Sequence, residues 1–327
     1  MLNAYPWQNK EWQHLLERFS LGKLPHALLF AGSEGLGKTE LAKAWVQLLL
    51  CKENGNKKAC GNCTSCRLLI AGNHPDFLHI EPEEKGKQIK IDQIRFLSEA
   101  LSQTSQQGGY KVALIAPADA MNLAAANALL KTLEEPEGDT VLILVTSRPH
   151  ALPATVRSRC QLLTFKTPSR EIAQEWLLTQ GVSREDGVKA LIFAVGAPLK
   201  ALELATNKEF SKLDKSFFSD LLKLKIGELS PVLLATKYAD YEPLIISELL
   251  LIVLQVLVKK STRAEENTAG YGEDLDRLCN ALFSKTNNQK LFYYWDKILQ
   301  IRQALLASIS LNKQFLLEDL FLTWLEI

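Results

Sequence analysis

The chain has 327 residues, and at that length two or three domains are expected rather than one. Hydrophobic residues make up 47% and charged residues 23%, ordinary proportions for a globular protein with a packed core. Lys plus Arg number 38 against 37 for Asp plus Glu, so a net charge of +1 excludes a global field drawing the chain to nucleic acid or membrane.

The start, MLNAYPWQNKEW, is polar and aromatic, without the basic and apolar regions of a signal peptide. The longest apolar runs, such as ISELLLIVLQVLV (246–258), fall short of the roughly 20 residues that a bilayer needs. A cytoplasmic protein with no membrane contact is the expectation. HALLFAG (26–32) predicts a strand running into GSEGLGKT, with KTELAKAWVQLLL (38–50) as the helix behind it. GSEGLGKT fits the phosphate-binding pattern G-x-x-x-x-G-K-[ST]. Gly32, Gly35 and Gly37 let the backbone approach phosphates, Lys38 supplies charge and Thr39 can ligate magnesium. A chance match in a strand-to-helix turn is the bland alternative; the flanking strand and helix favour binding.

CKENGNKKACGNCTSC brings Cys51, Cys60, Cys63 and Cys66 together, four of six cysteines. Two-residue spacers let thiolates converge on one tetrahedral ion, and four sulfurs with no open position describe a structural Zn2+ site on a solvent-facing knuckle. Its role would be local folding energy and a contact surface. Residues 60–66 also resemble an iron–sulfur run, without the Cys-Pro that follows such runs, and free thiols are the third reading. Disulfides are disfavoured in a cytosolic chain. His74–Asp76 spells HPD, the tripeptide of a chaperone J-domain, but lacks the helical hairpin and precedes a strand, so it is set aside. The other histidines form no set with carboxylates.

DFLHI (76–80), KVALIA (111–116) and TVLILVT (140–146) predict further strands, with helices at 91–103 and 122–135. Strands alternating with helices imply a parallel sheet covered on both faces, with ligands at the carboxyl ends of its strands, where the Gly-rich loop falls. ATP hydrolysis needs a metal-holding acid and a group that positions water. KVALIAPADAM ends instead on Ala116 and Pro117, and Asp119 reads as a turn or helix-capping residue rather than a magnesium ligand. Glu134 and Glu135 are adjacent at a helix end and make a poor acid/base pair. Past an extended ALPAT (151–155), Arg157 and Arg159 bracket Ser158; each would pair with a carboxylate or reach a neighbour's phosphates as an arginine finger. Cys160 and Cys279 read as buried thiols.

After TFKTPSR (164–170) only helices are expected, broken at TQGVS, AVGAP, LKIGELSP, YADYEP and a long mobile loop at 261–274. A small helical domain is placed at 168–206 and a larger one from 207 to the end. The aromatics of KLFYYWDKI (290–298) and FLLEDLFLTWL (315–325) read as bundle core, with packing against partner subunits as the alternative.

NALLKTLEEP (127–136), LPATVRSRCQLLTF (152–165), YPW near the start, GKLPHALLFAG, the cysteine spacing and AGNHPDF together resemble the delta-prime family of bacterial clamp-loader subunits, within the AAA+ superfamily. The resemblance spans most of the first 165 residues and fades to helical texture and length beyond 207. It implies a RecA-like AAA+ domain at 1–167 carrying the cysteine module at 51–66, a helical lid at 168–206 and a helical collar at 207–327. It also implies a pentameric ring with motor subunits and delta, which sets a sliding clamp on primed DNA within the DNA polymerase III holoenzyme. In that ring the Ser-Arg-Cys arginine, here Arg159 between Ser158 and Cys160, acts on ATP bound next door. Hydrolysing relatives have Asp-Glu where Ala116 and Pro117 stand, and a lid arginine where Leu199 stands beside Lys200. The implied role is a non-hydrolysing stator donating Arg159 in trans, with ATP or ADP as a fixed ligand. Some members have lost the phosphate loop; this chain keeps it. Competing readings are a free-standing P-loop ATPase or kinase with an unrecognised acidic residue, and a zinc-dependent DNA-binding protein, which the near-neutral charge disfavours.

Overall fold

The computed structural model describes residues 4–53, 58–84, 86–261, 273–283, 287–306 and 312–327. Two compact units divide the chain: one runs to Trp176 and includes Ala197–Leu199, and the other is Leu177–Gly196 with Lys200–Ile327.

The first unit alternates helices and strands. In order these are α1 (Asn9–Ser20), β1 (Ala27–Ala31), α2 (Lys38–Leu50), α3 (Thr64–Ile70), β2 (Phe77–Ile80), α4 (Ile91–Ser102), β3 (Lys111–Ile115), α5 (Leu123–Glu134), β4 (Thr140–Thr146), α6 (Ala154–Arg157) and β5 (Gln161–Thr164). The strands form one sheet in the order β2-β3-β4-β1-β5. Every pairing is parallel, with Leu29 of β1 opposite Leu144 of β4 and Leu162 of β5. Strands β1, β3 and β4 are buried at every position, so their unbroken apolar runs are what a sheet covered on both faces requires. Ile94 and Leu97 of α4 and Leu129 and Leu133 of α5 pack with Leu29, Ile115, Leu142 and Leu144 in one core. Trp45 of α2 is fully buried, with Trp12 and Phe19 of α1 edge-on to its ring.

Several elements, α3 among them, depart from the sequence reading. Strand β5 was not among the predicted strands: it has four residues, and its Leu162 is 56% exposed on the sheet's edge. ALPAT is extended only at Leu152 and Pro153, with ψ of 139° and 143°; Ala151 ends a 3-10 turn that starts at Pro149, and Ala154 and Thr155 already belong to α6. Helix α1 was also missed, although Trp12, Leu15, Leu16 and Phe19 follow helical spacing and Leu15 and Leu16 are buried.

From α7 (Arg170–Thr179), which spans the boundary between units, only helices follow among the described residues: α8 (Arg184–Phe193), α9 (Pro198–Thr206), α10 (Lys208–Lys225), α11 (Pro231–Tyr238), α12 (Pro243–Ser261), α13 (Glu273–Phe283), α14 (Asn288–Leu306) and α15 (Lys313–Glu326). Four of the breaks fall where Gly, Pro and Ser predict them; most of the expected loop at 261–274 lies outside the described residues. Phe217, Tyr238, Tyr294, Phe321 and Trp324 fill the second unit's core. Phe292, Tyr293 and Phe315 are more than half exposed, so the aromatic runs are only partly core. Asp220 is buried there and accepts from the Tyr238 hydroxyl at 2.8 Å and pairs with Lys237.

Helix α8 ends on Val195 at φ 52°, the one non-glycine residue with positive φ among the described residues, followed by Gly196 at φ 78°. The two N–H groups close the helix on Ile192 and Leu191 carbonyls at 3.0 and 2.7 Å. A β-branched side chain is disfavoured in that conformation, and Val195 is 52% exposed, so little packing opposes its removal. Val195→Gly is expected to raise stability by about 1 kcal/mol in urea unfolding, the lower end of the left-handed cost.

Candidate functional site

Strand β1 delivers the chain to its carboxyl end, where Gly32–Gly37 turn into α2. Gly35 and Gly37 adopt φ of 77° and 78°. At Gly32 an added Cβ would lie 2.5 Å from the Phe165 carbonyl, and at Gly37 it would lie 2.6 Å from the Tyr5 ring. Glycine is required at 37 for its backbone and at both for space. Turns built on left-handed glycines form the kind of N–H concavity that holds anions. Lys38 opens α2, buried, with Nζ donating to the Ser33 carbonyl at 2.7 Å. Burial pushes its pKa down, against the pull of Glu34, Asp119 and Glu40. Thr39 follows in the first turn, half-buried.

The loop is braced from the N-terminus. Gln8, fully buried, donates from Nε2 to the Leu36 and Gly37 carbonyls at 2.8 and 2.7 Å, and the Trp7 indole donates to Leu36 at 3.0 Å. Tyr5 and Trp7 stack at 4.9 Å, with Trp176 edge-on to both. The Leu199 N–H reaches the Gly35 carbonyl at 3.1 Å. Sequence reading singled out YPW only as a family signature; neither Gln8 nor Trp176 carries a local signal, because their partners lie far along the chain.

The acidic pair that magnesium chemistry needs is absent from the end of β3, where Ala116 and Pro117 stand. Asp119, in a 3-10 turn, caps no helix. Its side chain, 3% exposed, accepts from Thr146 Oγ1 at 2.7 Å and from Arg148 Nε at 2.8 Å. Both carboxylate oxygens are therefore engaged, one with the end of β4 and the other with the residue two positions beyond it. Lys200, beside Leu199 in sequence, pairs with Glu248.

The four cysteines converge. Their Sγ atoms all lie within 4.8 Å of one another, and Cys60 and Cys66 are 4.0 Å apart. Zinc–sulfur bonds of about 2.3 Å set tetrahedral sulfurs about 3.8 Å apart, so the donor set fits that ion. Cys51 closes α2, and Cys63 caps α3 by accepting the Cys66 N–H. Cys60 Sγ accepts N–H groups of Asn62 and Cys63 at 3.4 and 3.3 Å, and Cys51 Sγ accepts that of Cys60 at 3.3 Å. Burial opposes ionisation of Cys63, but N–H groups of Cys66 and Lys52 directed at its sulfur lower it to about 6. Cys66 is pushed up, by burial first and then by its hydrogen bond with Cys63. The knuckle is less solvent-facing than the sequence suggested: Cys51 and Cys66 are 3% and 2% exposed. Beneath it the HPD residues form a clasp. Ser65 Oγ donates to the Leu50 carbonyl at 2.5 Å and meets His74 Nε2 at 2.8 Å. His74 Nδ1 accepts the Asp76 N–H, and the Asp76 carboxylate takes the Gln106 and Gln107 N–H groups and the Ser105 hydroxyl.

Arg159 lies in the turn from α6 to β5. Its Nε donates to Glu134 Oε1 at 2.7 Å, Nη2 pairs with the same oxygen, and Nη1 donates to the Thr155 carbonyl at 2.9 Å. Its side chain is 35% exposed. Ser158 bonds the Thr155 carbonyl, and Cys160 is half-buried, its thiol raised to about 11 by burial. The phosphate loop, the cysteine cluster and Arg159 are thus three separate features of one sheet domain.

Residues 7–169 match the family model described as "DNA polymerase III, delta subunit". A curated DNA polymerase III subunit delta' of Pseudomonas aeruginosa is 37% identical over 99% of this chain and 98% of its own length. The chain belongs to the delta' family of DNA polymerase III subunits. The Escherichia coli delta' subunit is 30% identical over 97% of this chain and 94% of its own. Among solved structures, a DNA polymerase III gamma subunit-related protein of Thermotoga maritima aligns over 95% of this chain and 99% of its own, at 20% identity and a TM-score of 0.43. The five-stranded parallel sheet with its phosphate loop after β1 forms the α/β part of the chain, and an all-α part follows it. The family-model match encloses the phosphate loop, the cysteines and Arg159 alike. No described helix is long and apolar enough to cross a membrane.

Gln8→Ala would leave the Leu36 carbonyl with the Trp7 indole and the Gly37 carbonyl with the Leu41 N–H, and would remove the acceptor of the Tyr5 N–H. Stability should fall by about 1–3 kcal/mol in denaturant unfolding, the net worth of the three hydrogen bonds lost.

Proposed function

We propose that the chain is a non-hydrolysing subunit of a clamp loader, a stator that lends Arg159 in trans to ATP bound by a motor subunit. The observation that carries this reading is the pairing of a complete phosphate loop with a strand end that offers no carboxylate to magnesium. Asp119, three residues past Ala116, has both its oxygens already bound by Thr146 and Arg148. Leu199 brings no charge, and Lys200 is neutralised by Glu248. Phosphate can be cradled here, but among the described residues the end of β3 offers no carboxylate to help Thr39 hold a metal and to aim a water. ATP or ADP would sit on Gly32, Gly35, Gly37, Lys38 and Thr39 as a fixed ligand. Arg159, in contrast, stands at the surface of its domain.

The partners in this reading are the motor subunits and delta of a five-membered ring, with primed DNA and the sliding clamp engaged through the assembly, in the cytoplasm. Residues 1–167, 168–206 and 207–327 would serve as sheet domain, lid and collar. Cys51, Cys60, Cys63 and Cys66 would hold one structural Zn2+, closed to substrate and contributing folding energy.

In the reconstituted complex, Arg159→Ala should leave the subunit folded and cut ATPase turnover by about 10³ or more, the scale of an arginine finger. An unchanged rate would defeat the proposal. The rival free-standing ATPase rests on Asp119, close enough to Lys38 to influence it; multiple turnover by the purified subunit with magnesium and ATP would favour it. Metal analysis after gel filtration should find one zinc per chain and no iron. Chelation should lower the thermal midpoint, whereas an unaltered melt would argue against a structural ion.

A further inference from the structure

The contacts of Arg159 single out a residue that the arginine-finger reading does not by itself require. Glu134, the last residue of α5, takes Nε and Nη2 through one oxygen, and the Thr155 carbonyl takes Nη1. An arginine has five N–H donors, one on Nε and two on each terminal nitrogen. Three are engaged, so each terminal nitrogen keeps one N–H uncommitted among the described residues. That remaining pair is suited to bidentate contact with two oxygens of a phosphate.

The ion pair is not needed to hold the domain together. Both side chains are substantially exposed, 35% for Arg159 and 49% for Glu134, and such pairs add little to stability. Helix α5 itself is anchored without them, through Leu129 and Leu133 in the core and Asn122 capping its first turn. Aiming is different. An arginine side chain has many rotamers, and freezing them before a partner arrives removes an entropic cost from the encounter with the transition state. Glu134 and the Thr155 carbonyl restrain the guanidinium from two sides.

We propose that Glu134 is a positioning residue: it holds Arg159 pre-aimed, with its outer N–H groups presented to a phosphate on an adjoining subunit. This rests on the trans-acting role proposed for Arg159. In the adjoining site the Glu134 carboxylate would touch neither nucleotide nor water; it acts only through the arginine. Adjacent Glu135, at the helix cap, makes no contact with Arg159 and serves as the control.

The test uses the reconstituted loader with Glu134→Gln, Glu135→Gln, Arg159→Ala and the Glu134→Gln/Arg159→Ala double variant, assembly being checked by gel filtration. Glu134→Gln should lower kcat for ATP about tenfold with KM unchanged, and Glu135→Gln should lower neither. In the Arg159→Ala background, adding Glu134→Gln should change nothing further, an outcome that a general structural defect would not produce. Glu134→Asp should recover part of the loss. On the isolated subunit, the Arg159 Nε–H NMR signal should be protected from exchange in the wild type and broadened in Glu134→Gln at an unchanged thermal midpoint; this second readout needs no assembly. A kcat within twofold of wild type for Glu134→Gln, with Arg159→Ala still defective, overturns the positioning role alone. An equal loss in both backgrounds overturns it as well. Full activity of Arg159→Ala removes the trans role and this inference with it.

Discussion

Parallel pairing of β1 with β4 on one side and β5 on the other is the constraint on which the rest of the sheet domain depends. It places the carboxyl end of β1 between Thr146 and Thr164, so the loop that follows must turn within the space those strands leave. The close approach of Gly32 to the Phe165 carbonyl, just past β5, is a direct consequence. The same pairing sets Thr146 where Asp119 can reach it. One hydrogen-bond ladder therefore decides both the shape of the phosphate loop and the fate of the Asp119 carboxylate.

Around that ladder the domain spends its polar groups on holding things still. Gln8 and Trp7 occupy the carbonyls of Leu36 and Gly37 from behind, and Lys38 is folded onto Ser33. The cysteine knuckle is fastened by the clasp of Ser65, His74 and Asp76 to the strand that follows it. Arg159 is held by Glu134 and a main-chain carbonyl. A protein that cycles through hydrolysis needs a mobile metal and water at the strand end; here that position is given to Ala116 and Pro117, and the neighbouring acid is locked. Restraint of this kind is what a stator in a ring of motors would need, and it accords with the function proposed.

The strands and helices that bury large apolar faces were readable in advance, because burial imposes a periodicity that sequence displays: β1, β3, β4, α2, α4 and α5 all lie within a few residues of their expected places. Strand β5 was hidden because an edge strand with an exposed Leu162 has no continuous apolar run to reveal it. At 151–155 the extended reading holds for Leu152 and Pro153 alone, because a 3-10 turn and α6, each too short to show a period, close in from either side. Asp119 was read on local grounds as a turn or capping residue; it does lie in a turn, but its side-chain partners are 27 and 29 residues away.

What the sequence determined by itself is the chemistry available at each point: a loop of glycines with one lysine, four thiols at fixed intervals, no acid at the end of β3, and an arginine between serine and cysteine. Those are properties of residue identity and short spacing, and no folding is needed to read them. Which groups meet was decided only by tertiary structure. That Gln8 supports the loop, that Asp119 spends itself on Thr146 and Arg148, and that Glu134 rather than Glu135 takes Arg159 all depend on the sheet's strand order and on which way a helix end faces. Contacts between segments distant along the chain leave no trace in either segment's own pattern, because each is chosen by the geometry of the other.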